Sequence, residues 1–308
     1  MPPARYAYLG PRGTFTESAL RQLPAARSAD LLPFPTVAAA LDAVRAGEAD
    51  AATVPIENSV EGGVAATLDE LSSGDPLMIT REMHVNVEFS LLAKHGVSAG
   101  EVRRVATHPH AEAQCRRWLA NNLHGAEIIL ESSTAHAAAM VARPDGPYDA
   151  AIAAPIAAET YHLATLATHI ADSPGAVTRF VLVMRPGSPP PPTGADKSTV
   201  VAFIRDNHPG ALLELLEQFA ARGVDLTRIE SRPVGTTLGR YCFSIDVEGH
   251  LAEARVAEAL MGLRRTCADV RFLGSYPRAD GVSTVVSRGT SDADFSDATA
   301  WLKRLRDA

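Results

Sequence analysis

The sequence predicts two domains of different class on one chain: an α/β domain built mainly of parallel strands, then an α+β domain of βαββαβ, ferredoxin-like order. Three observations predict this. Residues 186–198 hold four consecutive prolines, Pro189 to Pro192, which continue neither a helix nor a central strand and favour a stiff spacer. Before the spacer, short apolar runs alternate with helix-period patterns, the order of an α/β sheet. After it the order is strand, helix, strand, strand, helix, strand, the split βαβ plan.

In the first domain the expected strands are Tyr6–Leu9, Ala51–Pro55, Arg104–Thr107, Glu127–Leu130, Ala150–Ala153 and Arg179–Val183. The expected helices are Thr16–Leu23, Val37–Ala46, Val64–Ser72, Pro109–Asn121, Thr134–Val141 and Pro155–Tyr161. Leu77–Ala93 is long and rich in β-formers, so it reads as a crossing from one lobe to a second, with Thr178–Met184 returning. In the second domain the strands are Thr199–Arg205, Asp225–Pro233, Arg240–Glu248 and Val270–Tyr276, and the helices Gly210–Arg222 and Leu251–Arg265. Val256, Leu260 and Leu263 share one face of the second helix, as a helix covering a sheet requires. The polar tail after Tyr276, residues 278–308, ends in a short amphipathic helix near Ala298–Arg306.

With 308 residues the chain is too long for one ordinary core. Its 46% hydrophobic and 21% charged residues are those of a globular protein. A net charge of -7 argues against nucleic acid or an anionic membrane as partner, and no apolar run reaches the length of a membrane span. No basic-then-apolar leader opens the chain, and Cys115, Cys242 and Cys267 are widely spaced and odd in number. Together these fit reduced thiols in the cytoplasm.

Four strand-to-helix junctions gather polar side chains where open α/β sheets bind ligands. Gly10-Pro11-Arg12-Gly13-Thr14-Phe15-Thr16-Glu17 offers a tight turn and helix-start N–H groups for an anion, or a Thr14–Glu17 capping box; it is not the GxGxxG of a dinucleotide site. Glu57-Asn58-Ser59 reads as a ligand loop or as ordinary caps. Thr107-His108-Pro109-His110 and Glu131-Ser132-Ser133-Thr134 repeat the arrangement. No Cys or carboxylate completes a ligand set around the two histidines, so no metal is expected, and Cys115 reads as a small buried apolar residue. Thr178-Arg179-Phe180 opens the return strand: Arg179 can pair a carboxylate and Thr178 can donate a hydrogen bond, or both can be strand residues with no further role. In the second domain, Asn207-His208-Pro209-Gly210-Ala211-Leu212 starts a helix with room for a ligand's backbone groups, and Glu230-Ser231-Arg232-Pro233 ends the next strand; turn and cap chemistry is the other reading of both.

In order and spacing, Tyr8-Leu9-Gly10-Pro11-x-Gly13-Thr14-Phe15, Pro55-Ile56-Glu57-Asn58-Ser59 and Thr178-Arg179-Phe180 resemble the motifs of prephenate dehydratases. Gly210-Ala211-Leu212 and Glu230-Ser231-Arg232-Pro233 resemble the two phenylalanine-binding motifs of that family's ACT domain. The resemblance spans about residues 4–276. It implies a bilobed, periplasmic-binding-protein-like (type II) catalytic domain over 1–185, with lobes 1–80 plus 175–185 and 85–172. A linker, 186–198, and an ACT domain, 199–277, would follow. It implies Thr178 as proton donor, with Asn58, Ser59, Thr14 and Arg179 on the substrate and Phe15, Glu57, Thr107, His108, Gln114, Glu131 and Phe180 around it. Thr107 stands where the family often has Ser, and His110 where Gln is common. The effector site would comprise Asn207, Pro209, Gly210, Ala211, Leu212, Glu230, Ser231, Arg232 and Pro233. No cofactor is implied; the implied partners are prephenate, L-phenylalanine and further copies of the chain, as homodimer or homotetramer. The chain begins almost at its first strand, so no chorismate mutase domain is expected.

The expected reaction is decarboxylating loss of water from prephenate to phenylpyruvate, under feedback inhibition by phenylalanine. Arogenate dehydratase, acting on the amino analogue, is the nearer alternative. A non-catalytic sensor of the same fold is the farther one, since fold alone does not fix function. A neutral Thr is a weak acid, so Thr178 is expected to stabilise charge on the leaving oxygen while Glu57 or His108 supplies the proton.

Overall fold

In the computed structural model, residues 3–60, 62–173, 175–234 and 241–307 are described. Arg240, the expected start of one strand, lies outside them. The chain divides into two compact units, Met1–Val64 with Met83–Phe180, and Ala65–Glu82 with Val181–Ala308.

The first unit opens with β1 (Arg5–Leu9), α1 (Phe15–Arg21), β2 (Asp30–Phe34), α2 (Val37–Arg45), β3 (Ala51–Asn58) and the two-residue β4 (Gly62–Gly63). Then come α3 (Ala65–Ser72) and β5 (Met78–Asn86), which carries the chain toward a second sheet. That sheet is built from β6 (Ser90–Ala93), β7 (Arg104–Thr107), β8 (Glu127–Leu130), β9 (Ala150–Ala153) and β10 (Ala164–Ala167). Its helices are α4 (Pro109–Gln114), α5 (Arg116–Asn122), α6 (Thr134–Ala142) and α7 (Ile156–Tyr161), and β11 (Val177–Met184) returns to the first sheet. Strand order is β2-β1-β3-β11-β5, with β4 on β3, in one sheet and β10-β6-β9-β7-β8 in the other. Outgoing β5 and returning β11 are therefore neighbours, the two-way crossing that Leu77–Ala93 and Thr178–Met184 suggest. Inside the second sheet, Leu91, Val105, Cys115 and Ile152 are buried in one cluster and Ala106, Ala137, Ala151 and Ala157 in another.

Some elements differ from expectation for identifiable reasons. β2 is not among the expected strands because Pro33 interrupts its pattern; as an edge strand paired only to β1, it tolerates the missing N–H. The helix expected over Pro109–Asn121 is broken at Cys115, where φ is -115° and ψ 10°. There the Asp172 carboxylate accepts the Arg117 and Trp118 N–H groups at 2.8 and 3.0 Å, starting α5 afresh. β10 is a short, bulged edge strand that alternation does not mark.

The second unit contains β12 (Asp196–Phe203), α8 (Ala211–Ala220), β13 (Leu226–Pro233), β14 (Tyr241–Glu248), α9 (Ala254–Thr266), β15 (Asp269–Pro277) and α10 (Asp292–Arg306). β12 starts at Asp196, inside the expected 186–198 spacer, whose carboxylate accepts Thr193 and Gly194 N–H groups at 2.7 and 3.0 Å and so closes the turn. Strand order β13-β14-β12-β15 realises the ferredoxin-like plan. Val200, Ile245 and Val247 bury against Leu215, Phe219, Val256 and Leu263 of α8 and α9.

The same unit includes Ala65–Glu82, which meets this sheet by polar contacts. Lys197 Nζ lies 3.2 Å from Glu82 Oε2, both nearly closed to solvent. Arg232 grips Asp69 with two bonds, Nε to Oδ1 at 2.9 Å and Nη2 to Oδ2 at 2.7 Å. At Gly274, φ is +134°, and any Cβ would fall 2.2 Å from the Ile79 carbonyl oxygen, so only glycine permits the approach. Among the described residues no helix is long and apolar enough to cross a membrane.

Candidate active site

All four of the sequence-marked junctions and the return strand meet at one cavity of about 260 Å³. Phe15 comes from the start of α1, Asn58 from the end of β3, His108 and Gln114 from α4 and its cap, Ser133 from the cap of α6, and Thr178 from β11. Among the described residues, no Lys or Arg lines it.

The central polar contact joins Asn58 to Thr178. Asn58 Oδ1 accepts the Val60 N–H at 2.8 Å, which fixes the amide so that Nδ2 points the other way. Nδ2 then donates to Thr178 Oγ1 at 2.9 Å. Thr178, 8% exposed, is thereby made an acceptor from Asn58, and its own O–H remains to donate into the cavity. Ser59 holds this strand in place: its N–H donates to Val177 O, and its Oγ accepts the Val177 N–H, each at 2.9 Å.

Several expected substrate residues do not line this cavity. Side chains alternate along a strand, so with Thr178 facing the cavity, Arg179 faces away. It is 6% exposed, and its Nη1 lies 3.4 Å from Glu57 Oε2. Neither Arg179 nor Glu57 lines the cavity, and Phe180 is 2% exposed in the core. Thr14 spends its hydroxyl locally, accepting Glu17 N–H at 3.3 Å and donating to Leu9 O at 3.2 Å. The expected Thr14–Glu17 capping box is formed by half: the Glu17 carboxylate reaches back to Gly13 N–H, at 2.7 Å, not to that of Thr14. Burial, then the neighbouring Glu17, pushes the Tyr8 phenol far above its ordinary range. Thr107 donates to Ile152 O at 3.0 Å, and Glu131 accepts from Tyr148 OH at 2.5 Å.

Ser132, Ser133, Thr134 and His110, which the sequence places at ligand-binding junctions and the family resemblance does not assign to the substrate, all line the cavity. Sequence reasoning missed Val87 and Phe89 altogether. They sit between β5 and β6, where their alternation is indistinguishable from core, and Phe89 packs edge-on against Phe15 at 5.6 Å. His108 Nδ1 accepts the His110 N–H at 3.3 Å, placing the proton of a neutral imidazole on Nε2. Cys115 is fully buried, and burial followed by Asp172 and Glu112 pushes its thiol up to about 12. It is a core residue and no nucleophile. Among the described residues no group of three or more His, Cys, Asp or Glu is placed to hold a metal ion.

Residues 6–188 match the family model of prephenate dehydratase, and residues 199–265 match that of the ACT domain. The chain belongs to the prephenate dehydratase family. It is 52% identical over 304 residues to a prephenate dehydratase of Amycolatopsis methanolica, covering 98% of each chain. The crystal structure of prephenate dehydratase in complex with L-Phe from Arthrobacter aurescens superposes with a TM-score of 0.94 at 53% identity, covering 99% of this chain and 100% of that one. A further neighbour, described as GqqA, a novel type of quorum quenching acylase, is 34% identical with a TM-score of 0.80, over 89% and 97% of the two chains.

In the ACT domain a second cavity, about 390 Å³, lies at the start of α8. Asn207, Gly210, Ala211 and Leu212 line it, with Tyr241 and Phe243 from β14. Gly210 has φ +95° and open space where a Cβ would stand. Pro209 and the Glu230-Ser231-Arg232-Pro233 segment do not line this cavity. Arg232 is committed to Asp69, and Arg228 lies 3.8 Å from Glu230 Oε1.

Proposed function

We propose that this chain converts prephenate to phenylpyruvate, with residues 1–185 as the catalytic domain, 199–277 as the regulatory one, and the Asn58–Thr178 cavity as the reaction site. The carrying observation is the directed hydrogen bond from Asn58 to Thr178 in a chain of this family. Prephenate has two carboxylates and a ring hydroxyl. As the bond to the ring carboxylate breaks, its electron pair enters the ring, which becomes aromatic while the hydroxyl leaves. The dianion plus one proton gives the phenylpyruvate anion, carbon dioxide and water, so atoms and charge balance without redox chemistry.

In this reading the Thr178 O–H donates to the departing oxygen as negative charge grows there. A preorganised donor of this kind is worth on the order of 3 kcal/mol in the transition state. Threonine is too weak an acid to give up its proton outright, so the proton comes from His108, which lines the cavity as Glu57 does not; His108 gives it as the imidazolium, which requires Nδ1 to let go of the His110 N–H, because a neutral imidazole N–H is no stronger an acid than threonine. With no Lys or Arg among the described residues of the wall, the substrate carboxylates rest on hydroxyl, amide and imidazole groups: Ser132, Ser133, Thr134, Gln114 and His110. Arg179 acts on the site indirectly, holding Glu57 and the strand that carries Thr178. Phenylalanine, in the cavity at Gly210, is the feedback inhibitor, and the enzyme works in the cytoplasm as a homo-oligomer.

Formation of phenylpyruvate by the purified chain, with prephenate and arogenate offered in parallel, tests the reading. Turnover of prephenate at a far higher kcat/KM is expected. Preference for arogenate would move the assignment to the amino analogue, and turnover of neither would overturn it.

A further inference from the structure

The C-terminal helix buries none of its residues within a single copy. α10 runs over fifteen residues, Asp292–Arg306. At that length an isolated helix is marginal in water. Among the described residues, the contacts that tie it down lie near its start. Asp292 Oδ1 accepts the Ala254 N–H at 2.7 Å, Ser291 and Asp294 form a capping box, and Thr290 presses on Gly223. Beyond that anchor Phe295, Ala298, Leu302 and Leu305 fall at i, i+3, i+7 and i+10, one seam of the kind that pairs helices. Trp301 flanks the seam. Trp301, Leu302 and Leu305 are 55%, 40% and 56% exposed.

The charges say what covers the seam. Asp292, Asp294 and Asp297 occupy the first half of α10, and Lys303, Arg304 and Arg306 the last turn. A parallel partner of the same sequence would set like charges together, whereas an antiparallel one sets acid against base along the whole length. We propose that α10 is an interaction surface whose partner is α10 of a second copy of this chain, packed antiparallel about a two-fold axis near Ala300. Phe295 then meets the partner's Leu305, Ala298 the partner's Leu302, and Asp297 the partner's Lys303. The contact is isologous, so it closes as a pair and cannot propagate.

The same charge order would also arise from the helix dipole alone, and the experiment separates the two. Sedimentation velocity of the full chain at micromolar concentration is compared with that of the Leu302→Asp/Leu305→Asp double variant. The variant's assembly mass should be half that of wild type with thermal stability retained. Asp297→Lys and Lys303→Glu, each alone, should weaken association about threefold or more, and an equimolar mixture should restore it, because the mixed pair again sets acid against base. A wild-type monomer, a double variant of undiminished mass, or charge variants that fail to rescue each other would overturn the proposal. So would wild-type binding to anionic phospholipid vesicles that the double variant lacks with its mass unchanged, since the seam would then belong to a lipid surface.

Discussion

At the catalytic cavity each key polar group is set by another. Val60 orients Asn58, Asn58 orients Thr178, and Ser59 holds the strand beneath with two bonds to Val177. At the ACT-domain cavity Leu212, Leu213 and Tyr241 stand 41%, 60% and 38% exposed, and Gly210 faces open space. Both cavities lie at helix starts. The first is finished, as a site must be when its donors stabilise charge that exists only in the transition state. The second is open on one side, as suits a ligand that acts by favouring one of two states.

The contrast can be broken most sharply at Thr178. Thr178→Ala should lower kcat about 100-fold or more with the fold intact by thermal melting, while Thr178→Ser keeps most of the activity. A kcat near wild type for the alanine variant would remove Thr178 from the mechanism. Next in size is the effector cavity. Gly210→Val places a β-branched side chain at φ +95° and fills the open space. Calorimetry should then show no phenylalanine binding, and kinetics no inhibition; a wild-type response would put the effector elsewhere. Arg179→Met should act on stability more than on chemistry, by about 1–2 kcal/mol, since the abandoned Glu57 is more than a third exposed and regains water. A large loss of kcat/KM with unchanged stability would return Arg179 to the substrate.

The smallest effect concerns Cys115. Its thiol is pushed from 9.0 to about 12 in the folded chain, so the unfolded chain gives up that proton first. The sign follows: the contribution is complete below pH 9 and fades as pH rises from 9 toward 12. Thermal melts across this range should fall less steeply for Cys115→Ala than for wild type, and equal slopes would refute the assignment.

Much of this was legible in the residues, and what was not has physical causes. Alternation finds β1, β3 and β7 because their runs are short and apolar between turns, but it passes over β2, where Pro33 is tolerated only through edge position. Motif spacing brings Asn58, His108, Gln114 and Thr178 to one cavity. It cannot tell that Arg179, one residue on, points to the opposite face, since that depends on which side of β11 the cavity lies. Nor does any local signal mark Val87 and Phe89 as cavity wall. The spent hydroxyls of Thr14 and Thr107 show the same limit, for a sequence names a donor but not the acceptor that has claimed it.

The central claim is that Asn58 serves the reaction through the direction it imposes on the Thr178 O–H. Asn58→Asp replaces the donor with an acceptor that would capture that proton. The most direct measurement is single-turnover formation of phenylpyruvate by wild type, Asn58→Asp, Thr178→Ala and the double variant. The account predicts that the double variant reacts no more slowly than Thr178→Ala, because Asn58 has nothing left to orient. Losses that multiply, with the double variant slower by the product of the two, would show that Asn58 and Thr178 act independently and would contradict it.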